Sequence, residues 1–537
     1  MKKIISLILI LVFVLSLCGC KETNNNNNTV SKKPTAEVEK GYKDSITILY
    51  SAADTFNPYD AQTETNRQLC RLLYDSLVKT DNEFVPHNNI AQSVEISKNK
   101  CTVKLRDVKF SDGSTLTASD VVYSYKLAKK SKTYYGYKLY SVESVSAQDS
   151  ETVVFKLEKH DPYFQNVLDF PIIKAKSEKR KDSDSVKYPP IGSGRYKVDL
   201  KKSCLVLNEN YYGEKGSIKK INLINAPDGE SIAHFVEIGA TDIYFSDISD
   251  GTILRMSGTK TNINLNNLVY IGINHKNGKF SQNELRQAIS SALDRKRICK
   301  DVFYDNALAA TGFFNPVWEE TKSLQNIEIT SNLQITIENL EKIGYNELDK
   351  DKCRRNGNKS LRFSLLVNKD NSARVAAAKL IKNQLKECGI IITVVEESYK
   401  DYKRRLKKGQ FDLYLGEVKI TENMDLSELV LSGGSVAYGI KATKAKKDTE
   451  DSSKETQTSD SKKPKKVKLS CQKVISGFYE GKNSINDVAV TLQSDMPIVP
   501  VCYRQGVLFC NENIENVNNS SLSDIYYSIQ SYKIKDN

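Results

Sequence analysis

The most restrictive feature of the sequence is an alternation of short apolar runs with amphipathic stretches between residues 361 and 415. Three of the runs have the length of strands, 361–367, 390–395 and 411–415, and the run at 390–395 is β-branched. Residues 373–388 and 398–409 have helical spacing, and a glycine ends each stretch. This strand–helix–strand–helix–strand order predicts an α/β protein in which helices pack against a sheet.

The first half of the chain alternates in the same way, beginning with a β-rich run at 46–50. Thr117 and Asp120 are predicted to form a capping box, because the hydroxyl and the carboxylate can each satisfy a free backbone N–H at a helix start. A second helix cap is predicted at 281–284, before apolar residues at 285, 288, 289 and 292 that share one helix face.

The N-terminus carries the features of a secretion signal. Lys2 and Lys3 precede an apolar run at 4–17, which is too short for a confident membrane span and typical of a signal peptide. The next residues resemble a bacterial lipobox, and Cys20 fits the lipidated position better than Cys18 because bulky Leu17 precedes Cys18. Residues 1–19 are predicted to be a lipoprotein signal peptide, with an ordinary cleaved secretion signal as the alternative.

Two segments contain too little apolar material to fold. Residues 20–45 begin with an asparagine-rich run and continue with Lys, Pro and Glu, which predicts a disordered tether. Residues 441–468 hold ten Lys and five acidic residues without an aromatic side chain, which predicts a disordered insert.

Composition excludes several classes of function. The net charge is +13, but the basic residues are scattered, so nucleic acid is not predicted as a partner. The nine cysteines other than Cys18 and Cys20 follow no disulfide framework and are interpreted mostly as small buried hydrophobes. No cofactor and no metal are predicted, because the four histidines are far apart in sequence: His87, His160, His234 and His275.

Several motifs are similar to those of one protein family. Phe56-Asn57-Pro58 resembles a Leu-Asn-Pro entry, and residues 103–124, VKLRDVKFSDGSTLTASDVVYS, match a long diagnostic block almost position by position. Shorter matches follow at 192–196, 210–213, 286–289, 292–295 and 497–501. The chain resembles the bacterial oligopeptide-, dipeptide- and nickel-binding proteins, extracellular solute-binding protein family 5, over nearly all of 46–537.

The resemblance implies a two-lobed periplasmic-binding-protein clamshell of the type II-like class. Lobe I would comprise 46–268 and 498–537, and lobe II would comprise 269–497 with the insert. Two crossing strands near 268–270 and 498–501 would form the hinge. A chain that leaves one lobe and returns to it makes two such strands, which permits hinge closure around a ligand.

The resemblance also implies a function, namely the substrate-binding lipoprotein of an ABC importer. Such a protein captures a peptide or similar small solute and delivers it to permease subunits with their ATPase. It would be a monomer held on the outer face of the cell membrane by lipid on Cys20. One alternative is an extracellular peptide sensor or chaperone of the same fold, and another is a secreted hydrolase, which the lack of an assembled triad or paired acids disfavours.

The resemblance implies ligand contacts after the run at 411–415, where the family has an aspartate that holds a peptide ammonium. Here GEVKIT at 416–421 replaces the usual Trp-x-x-Asp-Tyr. Asp425 is predicted to hold the ammonium, with Glu417 second. Four further residues are predicted near the ligand, with core or surface-loop roles as alternatives: Gly416, Trp318, Phe56 and Asn57.

The lipidation site generates the first testable prediction. Cys20→Ala should release or misprocess the protein, whereas Cys18→Ala should leave it membrane-bound. Retention of the natural protein should be firm, because a lipoprotein cysteine carries several acyl chains and a single chain binds only marginally. Fractionation of cells into membrane and soluble material measures this, and a Cys20→Ala protein found wholly with the membranes would refute the assignment.

Overall fold

The computed structural model describes residues 41–440 and 469–536, except residues 184, 186, 250 and 277. The predicted signal peptide, Cys20 and the predicted insert at 441–468 lie outside the described residues. Among the helices of the described ranges, none is both long and apolar enough to cross a membrane.

The described strands are numbered in chain order. Those before residue 250 are β1 (Tyr42–Lys43), β2 (Ser45–Tyr50), β3 (Val78–Thr80), β4 (Pro86–Asn88), β5 (Ala91–Ser97), β6 (Lys100–Leu105), β7 (Val142–Ala147), β8 (Thr152–Leu157), β9 (Tyr196–Asp199), β10 (Cys204–Leu207), β11 (Lys220–Asn225) and β12 (Ile243–Ser246). Those after it are β13 (Thr259–Ile273), β14 (Ala307–Ala309), β15 (Glu347–Leu348), β16 (Arg354–Asn356), β17 (Lys359–Ser360), β18 (Arg362–Asn368), β19 (Ile391–Glu397), β20 (Leu413–Lys419), β21 (Ile498–Cys510), β22 (Ile514–Glu515) and β23 (Lys533–Lys535).

The described helices are numbered in the same way. The α-helices are α1 (Glu64–Leu73), α2 (Ala118–Lys130), α3 (Tyr134–Lys138), α4 (Gly229–Glu237), α5 (Asn283–Ser291), α6 (Arg295–Phe303), α7 (Glu319–Ser323), α8 (Leu333–Lys342), α9 (Ser372–Glu387), α10 (Tyr399–Lys408), α11 (Ser427–Val430), α12 (Cys471–Phe478) and α13 (Ile485–Asp495). Short 3₁₀ turns lie at Phe164–Val167, Ser177–Lys179 and Ile529–Ser531.

One 11-stranded sheet runs through the whole molecule, in the order β19-β18-β20-β13-β21-β12-β2-β11-β10-β9, with β14 paired to β21. Strand β18 is parallel to β19 and β20, and β2 is parallel to β11 and β12. The long strands β13 and β21 pair antiparallel between these two parallel portions. They are therefore the connection through which one half of the sheet continues into the other.

The predicted alternation at 361–415 is confirmed. It forms β18, α9, β19, α10 and β20 in that order, and α10 ends at Gly409, whose φ of 66° is left-handed. Glycine is favoured there because it has no Cβ to clash with the backbone. These elements form one of the two parallel portions of the sheet.

The helix caps agree with the sequence at one site and differ at another. Thr117 and Asp120 form the predicted capping box at the start of α2. The predicted cap at 281–284 is wrong, because α5 begins with Gln282 as the N-cap residue and no side chain caps it.

The N-terminal tether ends sooner than the sequence predicts. Tyr42 pairs with Lys535 and Lys43 with Ile534, so β1 lies beside the C-terminal strand β23. Residues this polar have little tendency to fold alone, but a neighbouring strand supplies the hydrogen-bond partners that their backbone needs.

Two large apolar cores lie on either side of the crossing strands. The first lobe, as the term is used below, surrounds the core built from 46–265 and 508–534, and the second lobe surrounds the core built mainly from 268–503. The change of core falls between Leu265 and Leu268 on β13, where the β13–β21 register shifts between Asn264 and Asn267. On β21 the change falls between Tyr503 and Leu508. The crossing itself is thus the boundary between two independently packed bodies.

Close packing at the crossing strands generates a prediction about stability. A Cβ added to Gly272 of β13 would lie 2.0 Å from Cε1 of Tyr414, a fully buried ring on β20. Gly272→Ala should therefore destabilise the protein by about 1–3 kcal/mol, the usual cost of overpacking a core. Gly229→Ala is the matched control, because nothing lies within 4 Å of its added Cβ. Urea unfolding measures both, and equal stability of the two variants would contradict the packing described.

Candidate functional site

A cavity of about 290 Å³ lies where the two lobes meet beside the crossing strands. Helices α1 and α3 and residues 522–523 of the first lobe form one wall. The end of β20 and Glu422 of the second lobe form the other, and Asn267 of β13 lies between them. Eight of the lining side chains are charged: Arg67, Arg71, Lys138, Lys419, Glu64, Asp169, Asp247 and Glu422.

Helix α1 contributes three of these charges because its spacing places them on one face. Glu64, Arg67 and Arg71 recur every three or four residues, which aligns them along one side of a helix. Arg67 Nη2 lies 2.5 Å from Glu64 Oε2. Arg71 Nη1 donates to the carbonyl oxygen of Asp169 at 2.8 Å, and its Nη2 lies 3.5 Å from the Asp169 carboxylate. The charged groups that α1 presents to the cavity are therefore already paired with other protein groups.

Lys138, the last residue of α3, joins the two lobes. Its Nζ lies 2.7 Å from Asp169 Oδ2 in the first lobe and 2.9 Å from Glu422 Oε2 in the second. The Lys138 side chain is only 2% exposed. A buried ammonium requires such partners, and breaking a buried pair typically costs about 3–5 kcal/mol.

Lys419, the last residue of β20, faces the same cavity from the second lobe. Burial lowers the pKa of its ammonium, the Glu422 carboxylate opposes that shift, and nearby Lys138 adds to it. An anionic group placed next to Lys419 would stabilise the charged form. The arrangement gives the second lobe a cation at the cavity wall, close to a carboxylate.

A buried polar loop, residues 421–425, extends from β20 to the first lobe. Asn423 Nδ2 donates to Asp161 Oδ2 at 2.7 Å, and the Tyr140 hydroxyl donates to Asp425 Oδ2. Met424 has a left-handed φ of 57°, a strained conformation for a residue with a side chain. Four polar residues of this loop are at most 8% exposed: Thr421, Glu422, Asn423 and Asp425.

Asp425 does not line the cavity. Its Oδ1 accepts from Ser427 N at 2.7 Å at the start of α11, and its Oδ2 faces Tyr140 across the lobe boundary. In this arrangement both carboxylate oxygens have protein partners. The ligand-binding role predicted for Asp425 stays a prediction.

Glu417 is also committed to protein groups. Its carboxylate pairs with Arg374 of α9, lies 3.4 Å from Arg504 Nε on β21, and accepts from Asn267 Nδ2 at 2.7 Å. Burial raises the pKa of Glu417, but the two guanidinium groups outweigh it and leave the pKa below its usual value. Arg504 also donates to the carbonyl oxygens of Asp247 and Ile248, so the network crosses from one lobe to the other.

The other four predicted residues lie away from the cavity lining. Gly416 packs against the rings of Tyr270 and Tyr414. Trp318 is 3% exposed and has an edge contact, 5.0 Å between ring centroids, with Tyr163. Phe56 stacks on Tyr50, and Asn57 Nδ2 donates to Asp60 Oδ2 within its own loop. Their predicted ligand roles are not tested by these positions.

The sequence interpretation missed the charged residues that line the cavity. Glu64, Arg67 and Arg71 could have been found from their shared helix face, since charges recur at helical spacing there beside buried leucines. Lys138 and Glu422 carry no local signal, because each lies in a polar stretch and they meet only in three dimensions. Among the described residues no group of three or more His, Cys, Asp and Glu is placed to hold a metal ion.

The two cores, the crossing strands and the charged cleft between the lobes together define a two-lobed solute-binding protein. A sequence model of the family "Bacterial extracellular solute-binding proteins, family 5 Middle" matches residues 85–429. The chain belongs to this family, as the motifs at 56–124 predicted.

Three proteins illustrate the similarity. The oligopeptide-binding protein AppA of Bacillus subtilis is 26% identical over 414 residues, 72% of this chain and 74% of AppA. Its structure with a nonapeptide covers 92% of this chain and 100% of that chain at a TM-score of 0.58 and 20% identity. The glutathione-binding protein GsiB of Escherichia coli K12 is 25% identical over 289 residues, 51% of this chain and 56% of GsiB.

The third protein is known from its structure. The periplasmic murein tripeptide-binding protein MppA, in an unliganded open form, gives a TM-score of 0.69 at 17% identity. The alignment covers 94% of this chain and 99% of that chain. These structural likenesses confirm the predicted α/β, two-lobed fold.

The carboxyl group of Asp161 generates a pH prediction. Burial raises its pKa to about 6, the hydrogen bond from Asn423 opposes that shift, and the Asp425 charge adds to it. Because the folded pKa exceeds the unfolded value of ~3.9, this group destabilises the fold as pH rises through about 6, by roughly 1–3 kcal/mol. Lys159 opposes the shift, and the hydroxyls of Tyr140 and Tyr479 lie near Asp425.

Asp161→Asn tests this prediction, since an amide cannot ionise. The melting temperature of the variant minus that of the natural protein should be more positive at pH 7.5 than at pH 5. Scanning calorimetry at both pH values measures the difference. An unchanged difference would show that Asp161 is not protonated preferentially in the folded protein.

Proposed function

We propose that the chain is the substrate-binding lipoprotein of an ABC importer, which captures a peptide-like solute between its lobes and delivers it to a membrane permease. The observation that carries this proposal is the cavity itself. Both lobes line it, and it presents cations and carboxylates within a few ångströms of one another. Peptides carry both kinds of charged group at their ends.

The proposed mechanism is hinge closure about the crossing strands. Strands β13 and β21 are the continuous link between the two cores, so bending there moves one lobe relative to the other. A ligand that contacts both walls stabilises the closed arrangement only by its extra affinity for that arrangement. The permease would then distinguish the closed form from the open form by shape.

The relatives support a peptide-like ligand. AppA is an oligopeptide-binding protein and GsiB is a glutathione-binding protein, so both take ligands with peptide bonds and charged ends. These relatives are solute-binding proteins, and we propose no catalysis for this chain.

We further propose that lipid on Cys20 holds the protein, as a monomer, on the outer face of the cell membrane. The proposed lobes are 46–268 with 498–537, and 269–497. The change of core between Leu265 and Leu268 supports the first of these boundaries. We propose that Asp425, with Glu417 second, is the carboxylate that holds a ligand ammonium; in the lobe arrangement described, both carboxylates are paired with protein groups.

Two measurements test the proposed function. Native mass spectrometry of protein purified from its own membranes should show a bound peptide-like solute. A strain that lacks the protein should lose uptake of the same solute when it is supplied with a label. Uptake that persists unchanged, or a purified protein that binds no peptide of any length, would refute the proposal.

The contact between Lys138 and Glu422 supplies a variant for this test. Glu422→Gln should weaken peptide binding by at least about tenfold, because the lobes lose one charge-assisted bond of roughly 1.5–3 kcal/mol. Glu387→Gln on the exposed face of α9 is the matched control and should bind as the natural protein does. Calorimetric titration measures both, and equal affinities would show that the Lys138–Glu422 contact plays no part in binding.

A further inference from the structure

Two buried cysteines of the second core face each other. Cys299 lies on α6 and Cys502 lies on the crossing strand β21, far apart in the sequence. Their side chains are 5% and 0% exposed, and both thiols are free. The two thiols share a hydrogen bond. Facing thiols are the first requirement for a disulfide.

The backbone brings these cysteines together independently of their side chains. Helix α6 is followed by the left-handed residues Tyr304 and Asp305, with φ of 51° and 60°, which turn the chain. The next strand, β14, runs antiparallel to β21 with Ala309 opposite Cys502. Helix α6 is therefore connected, through one short turn, to the strand that pairs with β21 at Cys502.

Arg295, the first residue of α6, lies beside both thiols. Its Nε donates to the carbonyl oxygen of Pro500 at 2.9 Å, which holds α6 against β21 at a second point. Burial lowers the pKa of the Arg295 guanidinium to about 10, and the thiols of Cys502 and Cys299 oppose that shift. Because a nearby cation stabilises a thiolate, Arg295 favours the form of sulfur that disulfide exchange requires.

The environment of the family suits a disulfide at this position. The chain belongs to a family of extracellular proteins, and disulfides form and persist in such oxidising surroundings. Both sulfur atoms lie in the core, so a bond between them would be shielded from reductants once it had formed.

We propose that Cys299 and Cys502 are a site of oxidative modification, at which a disulfide fastens α6 to the second-lobe part of the crossing strand β21. Bending between the lobes would then be confined to the part of β21 beyond Cys502. This inference goes beyond the proposed function, because it holds whatever solute the protein binds.

A small-molecule disulfide such as oxidised glutathione supplies the oxidising equivalents. Burial raises the pKa of Cys502 well above its usual value, so the more exposed Cys299 attacks the oxidant first. The oxidant's S–S bond breaks, one glutathione leaves and the other stays on Cys299. The Cys502 sulfur then attacks the Cys299 sulfur and releases the second glutathione. The departing thiolates take the two thiol protons, so the protein loses two electrons and two protons, and one oxidised glutathione becomes two reduced molecules.

Peptide mapping tests the pair directly, because trypsin places each cysteine in a peptide of its own. Cleavage releases 298–300 with Cys299 and 483–504 with Cys502. One sample of full-length protein is isolated from its own membranes with N-ethylmaleimide present from lysis onwards. A second is isolated without it, incubated with oxidised glutathione and then blocked.

Mass spectrometry should find 298–300 linked to 483–504. Linkage after incubation alone would still support the pair as the site of oxidation. Linkage in neither sample, or linkage of these peptides to other cysteines instead, would overturn the inference.

Melting temperatures test what the disulfide does. The oxidised natural protein should melt about 5 °C or more above the same protein reduced with a phosphine, because a cross-link over a long loop constrains the unfolded chain. Cys502→Ala should show no such difference. Cys388→Ala is the matched control and should keep both the linkage and the difference, because Cys388 is buried in the same core but its Sγ donates to the carbonyl oxygen of Gln384 at 3.6 Å.

Equal melting temperatures of the oxidised and reduced natural protein would overturn the fastening role. A difference that persists in Cys502→Ala would overturn it as well. If Cys502→Ala does not fold, as judged by circular dichroism, the peptide map and the melting temperatures of the natural protein decide.

Discussion

The antiparallel pairing of β13 with β21 is the constraint on which the rest of the structure depends. These strands, Thr259–Ile273 and Ile498–Cys510, carry one sheet from the first core to the second. Where the cores change, polar residues occupy the crossing. Asn266, Arg504 and Gln505 are buried there, and each has hydrogen-bond partners. Buried polar groups are tolerated only when they are paired, so these partners fix how the crossing can be built.

Two buried glutamates near the crossing differ in what they connect. The partners of Glu417 are Arg374 on α9, which packs in the second lobe, and Arg504 on the crossing strand β21, which both cores share. Glu422 pairs with Lys138, which belongs to the first lobe, so that contact exists only when the lobes meet. A buried ion pair is weak evidence for stability, but an interlobe pair is sensitive to geometry because either partner is costly to leave alone. Glu417 therefore stabilises the hinge. The Lys138–Glu422 pair, by contrast, forms or breaks according to the relative position of the two lobes.

Local sequence spacing predicted the helices and strands well. It could not predict the cavity, because the cavity is formed by contacts between residues far apart in the sequence. The strands and helices of 361–415 follow from periodicity and from Gly409, which are properties of neighbouring residues. The cavity depends on Lys138, Asp169 and Glu422, which are separated by tens to hundreds of residues and share no motif. Asp425 stays a candidate from the family pattern, since it lies just before a short helix and accepts from Ser427 N. Its neighbour Tyr140, however, comes from the opposite lobe.

Some contacts between the lobes lie outside the cavity, and this matters for selectivity. Tyr140–Asp425 and Asn423–Asp161 lie outside the cavity lining and join the lobes whatever the ligand is. Their contribution to the free energy of lobe closure is the same for every ligand. They therefore favour closure in general and cannot discriminate between solutes. In the proposed function, discrimination between solutes would come from groups whose pairing changes with the ligand, and the charged side chains of the cavity wall are such groups.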